Sequence, residues 1–167
     1  LKNSNCTVVP LQYDATPEEI ELLKLSYGDR LQCLDYDPKE DINAWALDIK
    51  NCDFLITADN SAVHLAGEYQ IPCIVLLPTD CDSRWGSKGQ DTIWYPSVRL
   101  IRDVDQMSQE KTIEKIKESL NSMYSKNIDS SGLASYPDEN YILDHQEQDY
   151  MQEKKNTSLR LFRTDLL

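Results

Sequence analysis

Basic side chains are scarce: 17 lysines and arginines stand against 29 aspartates and glutamates, leaving a formal charge of −12. Nucleic acid is thereby excluded as a main partner, because neutralising phosphates takes a basic footprint. A smaller anion is not excluded, since backbone N–H groups at a helix N-terminus hold phosphate without net positive charge. With 5 glycines and 7 prolines, collagen-like and low-complexity classes drop out. No apolar run approaches the ~18–20 residues that span a bilayer, so no membrane span is expected.

Histidine is limited to two residues, and the five cysteines (Cys6, Cys33, Cys52, Cys73, Cys81) contain no C-x-x-C pair. Neither zinc nor another metal is expected from that set. Several of these cysteines sit in or beside apolar runs, so they read as small buried hydrophobes in a reducing, cytoplasmic setting. The first residue is Leu1, with no signal-peptide pattern, and we expect a trimmed chain or a piece of a longer protein.

What is present is an alternation of short apolar runs and helical stretches. Cys6–Val9 reads as a strand. Thr16 is the natural N-cap of a helix that opens on Pro17, carries Glu18 and Glu19 in its first turn, and stops at Gly28. Its apolar residues are Ile20, Leu22, Leu23 and Tyr27. Arg30–Leu34 reads as a second strand, and Asp41–Lys50 as a helix with Ile42, Trp45, Ala46 and Ile49 at helical spacing. Trp45 is a core residue on this reading. The acidic run Asp35–Asp41 offers either a carboxylate for a ribose hydroxyl or a turn ending in a helix cap at Asp41, the simpler assignment.

Phe54–Thr57 is a compact strand, Ser61–Tyr69 a helix, and Cys73–Leu77 a buried strand. A long loop, Pro78–Pro96, leads to the strand Val98–Ile101 and to a helix over Met107–Tyr124 with Ile113, Ile116 and Leu120 inward. Strands alternating with helices at this spacing predict an α/β fold, a Rossmann-like parallel sheet with helices on both faces. Residues 1–124 form that lobe. Residues 125–167 are more polar and are expected to be a C-terminal tail, flexible or partly helical.

Chemistry concentrates where the Phe54–Thr57 strand ends and the next helix begins. Ligands of open α/β sheets bind outside the carboxyl ends of strands. The amides of Ser61, Ala62 and Val63 lie at that edge, and the helix dipole adds about half a positive charge. Asn60 or Ser61 offers a side-chain donor, and Asp59 accepts from hydroxyls. Asp59 or Asn60 serves equally well as a plain helix cap. His64 follows one turn later, suited to packing as much as to chemistry. Trp85, Trp94 and Tyr95 either stack on a base or sugar or pack the long loop onto its own sheet.

The run DFLITADNSAVHLAGEYQIPCIVLLP resembles the D-x-x-I-[ST]-x-D-[TNS]-[SGA]-x-x-H-L-A-G-A motif of heptosyltransferase-like (family 9 type) glycosyltransferases, with Glu68 at the final position. It is more similar still to the glycosyltransferase domain attached to tetratricopeptide repeats in bacterial proteins. That subgroup follows with D-x-R-W and W-Y-P-S-x-R-L-[FI]-R; here these are Asp82–Trp85 and Trp94–Arg102. Leu11-Gln12-Tyr13 matches its S-L-Q-Y opening, with Pro10 in place of Ser. The resemblance covers about residues 7–120.

It implies the C-terminal lobe of a GT-B enzyme, binding a nucleoside-diphosphate sugar donor and transferring the sugar to an acceptor, with no metal cofactor. Gln12, Asp59, Asn60, Ser61, Ala62 and His64 are the implied donor-binding residues. Family members carry a basic residue after the first strand; none lies between Gln12 and Glu21 here. Arg84 and Lys88 are candidates for its place, and Trp85 for a base contact. The acceptor lobe and its base, or a repeat domain, are the implied partner outside this chain, so the catalytic residues are not among those named. The alternative function is a non-catalytic Rossmann-like module that binds nucleotide or another protein.

Overall fold

The computed structural model describes residues 6–129, with side chains through Met123, and the backbone of 160–163. The elements in chain order are β1 (Thr7–Val9), α1 (Pro17–Tyr27), α2 (Ile42–Lys50), β2 (Phe54–Ala58), α3 (Ser61–Glu68), β3 (Cys73–Leu76), β4 (Val98–Ile101), α4 (Gln109–Asp129) and β5 (Arg160–Arg163). The sheet runs β1-β5-β2-β3-β4 and every pairing is parallel. It is the expected Rossmann-like α/β arrangement.

Burial explains why the strands read as continuous apolar runs rather than alternating ones. Leu55, Cys73, Val75, Val98 and Leu100 face Trp45 and Ile49 of α2 and Val63 of α3. Phe54, Ile56, Ile74, Leu76 and Ile101 face Ile116 of α4 on the other side. Both faces are covered, so no polar alternation is tolerated. Trp45 is buried as expected, with its indole N–H donating to the Leu11 carbonyl at 3.1 Å. Cys6, Cys52 and Cys73 are buried while Cys33 is exposed; desolvation pushes the Cys73 thiol far above its ordinary range.

Local signals hold at the helix starts. Thr16 and Glu19 form a reciprocal capping box at α1. Asp41 caps α2 by accepting from the Ala44 amide at 2.9 Å, and Asp37 organises the turn before it by accepting from Lys39. The acidic run therefore serves the turn and the cap.

Several expectations need correction. Arg30–Leu34 is not a strand: Gly28–Arg30 forms a 3-10 turn, and only Leu31 bridges β1, at Val8. The chain then leaves the sheet because Tyr36 is drawn to α2, its hydroxyl donating to the buried Asp48 at 2.7 Å. In α1, Leu22 is 59% exposed, since it lies some 200° around the helix from Ile20, off the Ile20–Leu23–Tyr27 stripe. Ile42 and Ile113 are also exposed although both keep helical spacing to inward residues: Ile42 is the first residue of α2, and in α4 it is Thr112, not Ile113, that is buried with Ile116. Within the expected tail, residues 125–129 continue α4 and Arg160–Arg163 pairs with both β1 and β2; the rest of that tail lies outside the described residues. Among the described residues no helix is long and apolar enough to cross a membrane.

Candidate functional site

β2 ends at Ala58, and Asp59 and Asn60 turn the chain into α3 at the carboxyl edge of the sheet. Asn60 is the N-cap: its Oδ1 accepts from the Ala62 amide at 2.9 Å and from the Thr57 hydroxyl at 3.2 Å. The Val63 amide donates to the Asn60 carbonyl at 3.2 Å. Of the three amides named from the sequence, only that of Ser61 has no acceptor among the described residues. Ser61 itself is exposed, with Asp59 and Asn60 half-buried beside it.

One turn into α3, His64 meets the long loop. Its Nδ1 lies 2.9 Å from the Tyr95 hydroxyl and its Nε2 lies 3.3 Å from Arg84 Nη1. The imidazole stacks on Trp85, with centroids 5.9 Å apart and planes 16° apart, and takes the edge of Tyr95 at 5.8 Å. Gly67 makes this approach feasible: a Cβ there would collide with the Tyr95 ring, the farthest of three ring atoms lying at 2.7 Å.

Arg84 is fixed from several sides. Its guanidinium pairs with Asp82 at 2.7 Å, its amide donates to the same carboxylate at 2.8 Å, and its carbonyl accepts from the Trp94 indole at 2.8 Å. The hydrogen bonds from Arg84, side chain first and then backbone, hold the Asp82 carboxyl down at about 2. Arg84 is pushed above its ordinary value chiefly by Asp82, with a smaller pull from Asp59.

The loop carrying these groups is tied down by Arg102, which sequence reasoning did not single out. Its Nε donates to the Gly89 carbonyl at 2.8 Å and its Nη1 to Gly86 at 3.0 Å, while Nη2 donates to Trp85. A guanidinium at a strand end opposite a glycine-bearing loop was the available signal. Trp85 is 2% exposed and belongs to the core, so it presents no free face to a base; its indole N–H has no acceptor among the described residues. The exposed ring is that of Trp94, at 56%.

The structure thus brings His64, Arg84, Trp85 and Tyr95 together beside Asp59, Asn60 and Ser61. Lys88 is exposed on the loop and makes no hydrogen bond or ion pair with these groups. Gln12 lies at the end of β1 in a cleft of about 340 Å³ with Pro10, Tyr13, Cys33, Tyr36 and Asp37. Because β5 separates β1 from β2, two strand spacings of ~4.8 Å stand between Gln12 and the α3 turn. Among the described residues no group of three or more His, Cys, Asp or Glu is placed to hold a metal ion. Comparison with protein-family models, with curated proteins and with solved structures finds no match.

Proposed function

We propose that this chain is the donor-binding lobe of a GT-B type glycosyltransferase, holding a nucleoside-diphosphate sugar at the carboxyl edge between α3 and the 78–96 loop. The observation that carries the reading is the convergence on His64. Arg84 and Tyr95, 20 and 31 residues away in sequence, both bond its imidazole, beside a helix N-terminus whose Ser61 amide is unspent. A fixed guanidinium and that amide suit a diphosphate.

In the proposed reaction the bond between the sugar's anomeric carbon and the diphosphate oxygen breaks as the acceptor oxygen bonds to that carbon. Negative charge grows on the departing diphosphate, where Arg84, the Ser61 amide and the α3 dipole stabilise it without reorganising. Asp59 accepts hydrogen bonds from sugar hydroxyls. The acceptor's proton passes to a base on a second lobe. The rival reading, a non-catalytic nucleotide-binding or interaction module, is favoured by one feature: Asn60, Ala62 and Val63 already satisfy one another.

Thermal unfolding with ADP, GDP, UDP and CDP tests this. A ligand at ~100 times its Kd adds about 2.7 kcal/mol, a rise of roughly 5–10 °C for a domain of this size. Ser61→Pro removes the unspent amide at a position where proline is compatible with helix, and the rise should vanish. No rise with any nucleotide contradicts the donor-lobe reading.

A further inference from the structure

Arginine has donors only, so His64 Nε2, facing Arg84 Nη1 at 3.3 Å, must be the acceptor. With Nε2 accepting, the ring proton lies on Nδ1, and Nδ1–H donates to the Tyr95 oxygen at 2.9 Å. The bond made by one ring nitrogen sets which nitrogen carries the proton. From this chain we infer that Tyr95 is a positioning residue for Arg84: by accepting from Nδ1–H it holds the His64 ring with Nε2 turned to the guanidinium, ready for a phosphate. The inference deepens the donor-site reading and, for the phosphate, rests on it.

Each link is constrained. The Tyr95 ring lies against Gly67, where no side chain intervenes. The imidazole is clamped between the Trp85 face and the Tyr95 edge. The Arg84 backbone is pinned by Asp82 and Trp94, and its side chain keeps 44% of its surface open. Two of the five guanidinium N–H groups go to Asp82 and His64, leaving three for an anion. If the proton sat on Nε2, or on both nitrogens, two donors would face each other and Arg84 would lose this support. The ionisable groups facing the imidazole are Arg84 and Tyr95 on the loop, and Arg84 in turn interacts with Asp82 and Asp59.

The test reads the free protein first. Nitrogen-15 NMR of the imidazole should show the Nδ1–H tautomer in the wild type. Tyr95→Phe keeps the ring over Gly67 and removes only the hydroxyl; the Nδ1–H signal should lose its hydrogen-bonded shift and the separate Arg84 Nη signals should average. An Nε2–H tautomer in the wild type, or Arg84 signals indifferent to Tyr95→Phe, overturns the inference. Titration with inorganic pyrophosphate then reads the consequence: Tyr95→Phe should weaken binding roughly 2- to 10-fold, the range of one lost hydrogen bond. In an Arg84→Ala background the same substitution should add nothing, and an equal loss there overturns the relay. Pyrophosphate failing to bind the wild type contradicts the donor-site reading instead, while the NMR results still decide the relay.

Discussion

Replacing Gly67 with alanine is the sharpest probe of how α3 and the long loop fit. In an ordinary helix the change stabilises by about 0.5–1 kcal/mol, because glycine loses more backbone entropy on folding. Here the new methyl falls on the Tyr95 ring, with even the farthest of three ring carbons only 2.7 Å away. Restoring an ordinary 3.4 Å contact moves that carbon by at least 0.7 Å and its nearer neighbours by more. The 2.9 Å bond from His64 to the Tyr95 hydroxyl does not survive such a shift. Overpacking costs about 1–3 kcal/mol and the lost hydrogen bond about 0.5–1.5, so the net effect is a destabilisation of about 1–3 kcal/mol. Urea unfolding measures it directly as a lowered midpoint at unchanged slope. In a Tyr95→Ala background the clash is gone, and Gly67→Ala should become neutral or stabilising. A Gly67→Ala protein as stable as the wild type, with Tyr95 intact, refutes the packing argument.

Other consequences are open to measurement. Arg102→Lys keeps a charge but loses the planar fork that reaches three carbonyls; it should destabilise by about 1–3 kcal/mol and speed proteolytic cleavage within residues 78–96. The Asp82 carboxyl, held at about 2 against an ordinary 3.8, releases its proton more readily folded than unfolded. Its pairing with Arg84 therefore contributes fully above about pH 4 and is lost as pH falls through about 2. A carbon-13 titration of Asp82 reads this, and Arg84→Ala should return the midpoint toward the ordinary value. Asp41→Ala removes the cap of α2 and should cost about 1 kcal/mol by thermal unfolding, whereas Asp41→Asn should cost little.

Much of the fold was legible because its cues are local. Pro17 after Thr16, the acidic first turn of α1 and the apolar runs at β2, β3 and β4 each fix an element through local chemistry that neighbours do not override. What was misread depends on tertiary context. The Leu31 region has strand-like residues but leaves the sheet to satisfy Asp48 through Tyr36. Leu22 lies off its helical stripe and Ile113 at the edge of its own, where Thr112 is buried instead, and composition alone does not say which apolar residue turns outward. The apolar residues of Leu159–Phe162 stand out from the polar stretch before them, but so short a run does not say that Arg160–Arg163 pairs between β1 and β2. At the site, the α3 turn was evident from strand and helix order. That Arg84 docks on His64, and that Trp85 is core while Trp94 is the open ring, follows from how a 19-residue loop folds back, which spacing does not encode.

If the proposed donor site is correct, a nucleoside diphosphate binds where α3 begins, against Arg84. Amide and guanidinium NMR shifts during titration with ADP, GDP, UDP and CDP test it most directly, since they locate the ligand as well as detect it. The account predicts that one nucleotide moves the Ser61 amide and the Arg84 signals first and farthest, with saturation, and that Arg84→Ala weakens binding. Shifts confined to the cleft between β4 and α4, around Lys115 and Ser119, or no saturable shift with any nucleotide, would contradict it.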